Sequence, residues 1–409
     1  MADRILVLGS GFAGLWSAVG AARKLDELGY GPEAVQVTVV NRDGFHNIRV
    51  RDYEADLTPV RIPLDDVLVP IGVQRVEGEV AGIDLAEQTV ATTTAGGQIT
   101  LPYDRLVFAL GSQVFRPDVA GLAAYAFDVD TYNGGARLNA HLQSLPRRPE
   151  SPGLYTVVVV GAGLTGIEAA TEMTQKLRAI LAGANLNRSF RVILVDHSSH
   201  VGSDMGESAR PVIEEALGAL GIETRLGFDV VSISPAGITL RSGEEIPAAT
   251  VVWCVGTRAN PLTRLFPVER DRLGRIAVDE FMRVKGVAHV FAAGDVAWAM
   301  MDDRHVSVMS CQHGRPMGRF AGHNVVADLF GLPMLPLHIA WYVTVLDLGP
   351  WGAVYTEGWD RHVVTTGATA KKTKQLINCQ RIYPPLTRDR REILAAAAPV
   401  VQEPPKTYH

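Results

Sequence analysis

An α/β fold of two parallel-sheet domains and a small α+β C-terminal module is what the sequence predicts, on three observations. Two segments about 150 residues apart open alike, each a short β-branched run feeding a glycine loop and then a helical pattern. At 409 residues, with 47% hydrophobic and 20% charged side chains, the chain has apolar sequence for more than one core. No apolar stretch of roughly 18 residues occurs. The most apolar late segment, Leu332–Val354, is broken by Pro333, Pro336, His338, Asp347 and Pro350, so no simple transmembrane helix is expected.

Each element follows from local pattern. Arg4–Leu8 reads as a buried strand rather than the core of a signal peptide, being too short for one. It feeds Gly9-Ser10-Gly11-Phe12-Ala13-Gly14, a helix to about Leu28 and a second strand, Val35–Val40. The unit returns as Thr156–Val160, Gly161-Ala162-Gly163-Leu164-Thr165-Gly166, a helix to about Leu181 and a strand Phe190–Val195. Val73–Ala109, with a turn at Ala95-Gly96-Gly97, suits an antiparallel excursion, and Asp229–Val255, with turns at Pro235–Gly237 and Ser242–Gly243, suits another. Gln143–Gly153 holds three prolines and reads as the linker between them. Beyond Pro336, Trp341–Val354 and Gly358–Thr366 read as strands of the third module, and Pro384–His409 as one short alanine-rich helix followed by prolines.

Composition excludes several classes. With 39 basic against 44 acidic side chains the net charge is −5, which argues against a general nucleic-acid or anionic-membrane surface. The three cysteines, Cys254, Cys311 and Cys379, make no CxxC, no zinc spacing and no disulfide framework, and suit a reducing compartment. Eleven histidines show no paired ligand spacing, so no metal is expected.

The glycine loops point to dinucleotides. In G-x-G-x-x-G between strand and helix, the first glycine permits the turn, the second lets a pyrophosphate reach the backbone, and the third lets helix pack on strand. The N–H groups opening the helix favour the phosphate charge. A carboxylate is expected where the second strand ends, to hold ribose hydroxyls. The first unit has Asn41 and Arg42 there, so Asn41 is the expected ribose partner and Asp43 the alternative. The second has Asp196, which fits a 2′-hydroxyl and repels a 2′-phosphate, so NADH is expected over NADPH; His197 and His200 soften that preference. Glu168, on the first turn of the second helix, reads either as a favourable charge–dipole placement or as a group facing the nicotinamide.

Two further motifs complete the pattern: Leu106-Val-Phe-Ala109-Leu-Gly111-Ser112, and Val290-Phe-Ala-Ala-Gly294-Asp295. In this order the four motifs resemble the flavoproteins with two dinucleotide-binding domains, over about residues 3–330. Gly166-Ile-Glu168-Ala-Ala-Thr-Glu172, Val251-Val-Trp253-Cys-Val-Gly256 and Ser310-Cys311-Gln312-His313-Gly314 are similar to type II NADH dehydrogenases. The resemblance implies two Rossmann-like domains. FAD would lie on Gly9, Gly11, Phe12, Ala13, Gly14, Asn41, Arg42, Ala109, Gly111, Gly294 and Asp295. NADH would lie on Gly161, Gly163, Leu164, Thr165, Gly166, Asp196 and Gly256. It places Glu168 at the nicotinamide and quinone region, and Gln312 and His313 beside the isoalloxazine, as the catalytic residues. It divides the chain into a split FAD unit of residues 1–150 and 277–335, an NADH unit of 151–276, and a C-terminal interface or acceptor-side module of 336–409.

The cysteine pairs of the disulfide reductases and sulfide:quinone reductases are missing, so electrons are expected to pass from flavin straight to a quinone or similar acceptor. Two departures qualify this. The tail after Pro384 lacks the amphipathic helical region of type II enzymes, leaving only a weak peripheral contact with the inner face of the cytoplasmic membrane as an expectation. Asp43–Leu57 carries Arg49 and Arg51, more positive charge than a quinone-facing loop suggests, and both read as solvated in preference to functional. Trp341, Tyr342, Trp351 and Trp359 read as core or homodimer-interface packing, with a quinone-lining wall as the alternative. A cytoplasmic reductase of an electron-transfer protein or xenobiotic quinone is a second functional reading. A redox-responsive flavoprotein that binds a partner, as in apoptosis-inducing-factor flavoproteins, is a third.

Overall fold

The computed structural model describes residues 2–405. The first parallel sheet has five strands in the order 290–292, 105–108, 3–8, 35–41, 74–77. Its central strand, Asp3–Leu8, sets Val7 between Val39 and Val107, and Ile5, Val7 and Leu8 are wholly buried. Such a run of apolar residues is what a strand covered on both faces requires. The edge strand Gln74–Glu77 and the inner strand Arg105–Phe108 correct the sequence reading: they belong to this parallel sheet. Only Glu79–Asp84, Thr89–Thr94 and Gly97–Pro102 form the antiparallel excursion. Helix α1 (Phe12–Leu28) follows the first strand and stops at Gly29, whose left-handed backbone (φ 77°) caps it.

A second parallel sheet, in the order 222–226, 191–196, 156–160, 250–253, repeats the plan. All five residues of Thr156–Val160 are buried. Helix α2 (Tyr132–Ser144) starts at Thr131, whose hydroxyl accepts the Gly134 N–H, and sends Leu138 and Leu142 into this second core. Helix α3 (Leu164–Gly183) packs on the same sheet. The excursion between its strands is a three-stranded antiparallel sheet, residues 230–234, 237–240 and 245–247.

Helix α4 (Cys311–Leu329) returns to the first core and crosses α1 closely. The crossing depends on small residues: a Cβ on Gly318 would stand 2.3 Å from the Ala13 carbonyl oxygen, and one on Gly322 2.2 Å from that of Ser17. The C-terminal module is an antiparallel meander of residues 343–347, 353–357 and 362–366 with helix α5 (Gly367–Leu376) against it. The single strand expected over Trp341–Val354 is two, because Gly349-Pro350-Trp351 makes a tight helical turn between them. Helix α6 (Arg390–Ala396) matches the expected alanine-rich helix. The last four residues of the expected tail, 406–409, lie outside the described residues. Among the described residues no helix is long and apolar enough to cross a membrane, and no histidine, cysteine and carboxylate cluster could hold a metal.

Candidate active site

The two glycine loops are close copies. Gly9 and Gly161 take positive φ, 91° and 106°. A Cβ on Gly14 would stand 2.0 Å from the Gly9 carbonyl oxygen, and one on Gly166 1.7 Å from that of Gly161, so neither position admits a side chain. The residue ending the second strand braces each loop from the same place. Asn41 Oδ1 accepts the Ser10 N–H at 3.1 Å, and Asp196 Oδ2 accepts the Ala162 N–H at 2.5 Å. Asn41 Nδ2 donates to the Asp43 carbonyl, while Asp196 Oδ1 accepts the Ser198 N–H. Arg42 is exposed beside them.

The remaining glycine of each loop faces outward. Nothing lies within 4 Å of a Cβ on Gly11 or Gly256, and only Asp204 Oδ2 approaches Gly163, at 3.0 Å. Neither α1 nor α3 has a side-chain cap on its first N–H groups. Two helix starts with uncapped N–H groups and open glycines are cradles that fit the pyrophosphates of FAD and of NAD(P)H. Leu164 is half-buried and Thr165 exposed at the second cradle. At the first, Phe12 meets the His46 ring edge-on at 5.3 Å, and His46 Nδ1 donates to the Ser10 carbonyl at 2.7 Å. Full burial lowers the His46 pKa to about 4, so the ring is neutral near pH 7.

A polar network gathers Ser112, Arg49 and Asp130 around Asp295. Ser112 Oγ donates to Asp295 Oδ2 at 2.6 Å. Arg49 donates to Ser112 Oγ at 2.9 Å, pairs with Asp130, and lies 3.7 Å from Asp295. Gly294 abuts Ala13, and Gly111 accepts the Asn260 N–H, while Ala109 backs Gly9. The solvated reading of Arg49 and Arg51 is therefore wrong. Arg51 is 8% exposed and holds Glu54 at 2.6 Å and the Tyr383 hydroxyl at 2.7 Å. Both arginines are drawn inward by partners distant in sequence, Asp130 and Tyr383, which local pattern cannot show.

The start of α4 presents unused donors. The Ser310 side chain does not cap the helix, and Ser310 Oγ, Gln312 Nε2 and His313 Nε2 are buried without partners. His313 Nδ1 accepts the Val308 N–H at 2.8 Å, which leaves its proton on Nε2. Burial lowers its pKa to about 4. Tyr342 and Trp359 stack at 4.8 Å beside His313, with His305 stacked on Trp359 at 4.3 Å. Tyr342 is buried and Trp359 packs against the first core, as Trp351 does against the second.

Glu168 is not a solvated first-turn carboxylate. It is 7% exposed, and its Oε1 accepts from Lys374 Nζ at 2.6 Å and from the Asp347 N–H at 2.9 Å. Burial raises its pKa, and Lys374 and the Asp347 N–H oppose the rise. Lys374 also lies near enough to Cys311 for its charge to act on the thiol, whose pKa burial raises. Glu168 and Lys374 thus tie α3 to α5. Lys374 carries no motif; only a lysine on a short helix two hundred residues away could have hinted at it.

From Cys311 and Gln312 a groove runs along α4. Its walls include Ile339, Trp341 and Ile382, and the C-terminal segment contributes Val401, Gln402 and Pro405. The three cysteines are free thiols: Cys254 and Cys311 are half-buried and Cys379 is exposed.

The model of the pyridine nucleotide-disulphide oxidoreductases matches residues 3–318. An NADH dehydrogenase-like protein of Mycobacterium tuberculosis is 59% identical over 98% of this chain and 100% of its own length. A type II NADH:quinone oxidoreductase of the same organism is 29% identical over 72% of this chain and 66% of its own. Among solved structures, NDH2 of Plasmodium falciparum in complex with NADH superposes with a TM-score of 0.77 at 12% identity, covering 97% of this chain and 98% of that one, a likeness of fold.

Proposed function

The chain belongs to the pyridine nucleotide-disulphide oxidoreductase family and is an NAD(P)H-dependent flavoprotein oxidoreductase of the NADH dehydrogenase-like kind, and on that premise we propose that NADH is its donor and a quinone its acceptor. The observation that carries the quinone reading is the apolar groove opening at Cys311 and Gln312, beside the unused donors of α4. The type II NADH:quinone oxidoreductase likeness supports it.

We assign FAD to residues 1–150 and 277–335, NADH to 151–276 and the acceptor side to 336–409. Gly9, Gly11 and Gly14 with the α1 N–H groups would take the FAD pyrophosphate, and Asp295, held by Ser112, would accept from a ribitol hydroxyl. FAD bound there supplies hydride acceptance from the nicotinamide and two-electron delivery to the acceptor. Gln312 and neutral His313 would donate to its polar edge, and the uncapped start of α4 would favour negative charge there. Gly161, Gly163 and Gly166 would hold the NADH pyrophosphate. Asp196 would accept from a ribose 2′-hydroxyl and repel a 2′-phosphate. Glu168, pinned by Lys374, would position the nicotinamide end.

The overall balance is NADH plus quinone plus one proton giving NAD⁺ plus hydroquinone. The hydride carries two electrons and one proton, and solvent supplies the second proton. Steady-state turnover of the FAD-loaded protein with a short-chain ubiquinone tests the reading. NADH should give a kcat/KM at least tenfold above NADPH, in keeping with an Asp196–phosphate clash of about 1.4 kcal/mol or more. Turnover with ferredoxin and none with any quinone would overturn it.

A further inference from the structure

The groove carries charge that its apolar walls do not explain. Arg315 and Arg319, one and two turns into α4, both line it, with Arg381 at its rim. Their exposures are 8% and 2%. The Nε of each is buried without a hydrogen-bond partner. No acidic residue lines the groove, and among the described residues neither arginine has a carboxylate partner. What lies beneath them is the Trp16 ring, 5.3 Å from the Arg315 guanidinium carbon and 4.5 Å from that of Arg319. A ring face stabilises a cation but leaves its N–H groups unused.

Each of the other two buried arginines among the described residues has a carboxylate partner: Arg51 holds Glu54, and Arg275 holds Asp271 at 2.8 Å. Two adjacent guanidinium groups without one are costly. Burial lowers the Arg315 pKa to about 9 and that of Arg319 to about 10, and their mutual repulsion adds to the effect on Arg315. Five N–H donors in a planar fork, aimed into an apolar groove, suit one ligand class.

We propose that the groove selects an acidic quinone, an apolar quinoid ring bearing an oxyanion such as a carboxylate or sulfonate, with Arg315 and Arg319 holding the oxyanion. This rests on the acceptor reading above and narrows it. Arg319 lies eight residues, about 12 Å, along the helix from Cys311. The charged end is thereby held away from Cys311 and Gln312, and the ring is left toward them. The oxyanion is a spectator: the ring alone gains the two electrons and two protons already accounted for.

The test compares naphthoquinone sulfonate with its unsulfonated parent on FAD-loaded protein, reading the ratio of the two KM values, which cancels differences in flavin loading. Wild-type protein should favour the sulfonate by roughly tenfold or more, the worth of a buried charge-assisted contact. The preference should persist at high salt, unlike surface attraction. Arg319→Met should bring the ratio near unity, and Arg319→Lys should keep part of it. Redox-inert naphthalene sulfonate should raise the Tm of the FAD-loaded wild type and not that of Arg319→Met, and this arm needs no turnover. A ratio near unity in the wild type, a ratio unmoved by Arg319→Met, or no Tm rise would overturn the proposal. Anaerobic bleaching of the flavin by NADH, run on the same sample, tells failure of the parent reading from failure of this one: bleaching without anion preference sinks only the anion.

Discussion

At the residue scale the glycines and the buried polar groups behave differently under substitution. Gly166→Ala places a methyl group 1.7 Å from the Gly161 carbonyl oxygen. It should cost about 1–3 kcal/mol in urea unfolding and weaken NADH binding while flavin content stays full. A variant that binds NADH normally would show that the contact is not needed. His46 and His313 give a pH prediction. Both are wholly buried, and both are lowered from 6.5 to about 4. The unfolded chain therefore binds more protons between those values, so stability falls as the pH drops from about 6.5 to about 4 and is flat with respect to these groups above that. Each ring contributes up to about 3 kcal/mol to that fall. Urea midpoints at pH 7.5, 6 and 5 should decline, and less steeply in His46→Gln. The glycines were legible because backbone geometry imposes a spacing. The histidines were not, since burial comes from distant elements and leaves no local mark.

At the element scale, the contact between α3 and α5 rests on Glu168 and Lys374, with side-chain exposures of 8% and 11%. Either partner alone is a buried unpaired charge, so Lys374→Met should destabilise by about 3–5 kcal/mol. The double variant Glu168→Gln/Lys374→Met should recover much of that loss. A double-mutant cycle in urea reads the coupling, and simple additivity of the two losses would refute the pairing. The crossing of α1 and α4 gives a second prediction at this scale. Gly322→Val sets side-chain carbons against the Ser17 carbonyl and should lower the Tm and the flavin content together. Helix patterns and the strands opening each unit were legible from periodicity. The strands Gln74–Glu77 and Arg105–Phe108 were misread as part of an excursion, because a short alternating run looks the same in a parallel sheet as in a hairpin. The turn at Gly349–Trp351 did carry a local signal, Asp347 followed by Gly349-Pro350, which the single-strand reading passed over.

At the scale of the whole molecule, one βαβ plan is used twice, and the returning helix α4 carries the start of the groove. The duplication was visible in the sequence, as were the residues of both glycine loops. What was not visible was how distant segments close on one another: Arg49 on Asp130, Lys374 on Glu168, and the C-terminal segment over a groove lined by Arg315 and Arg319. In the proposed route electrons pass from NADH through flavin to a quinone without a protein dithiol. Anaerobic stopped-flow of the FAD-loaded protein tests it most directly, first against NADH and then against a quinone. Stoichiometric NADH should bleach the flavin fully and quinone should restore its colour, both unchanged when Cys254, Cys311 and Cys379 are all replaced by serine. A flavin that NADH fails to bleach, or a reoxidation lost with the cysteines, would contradict it.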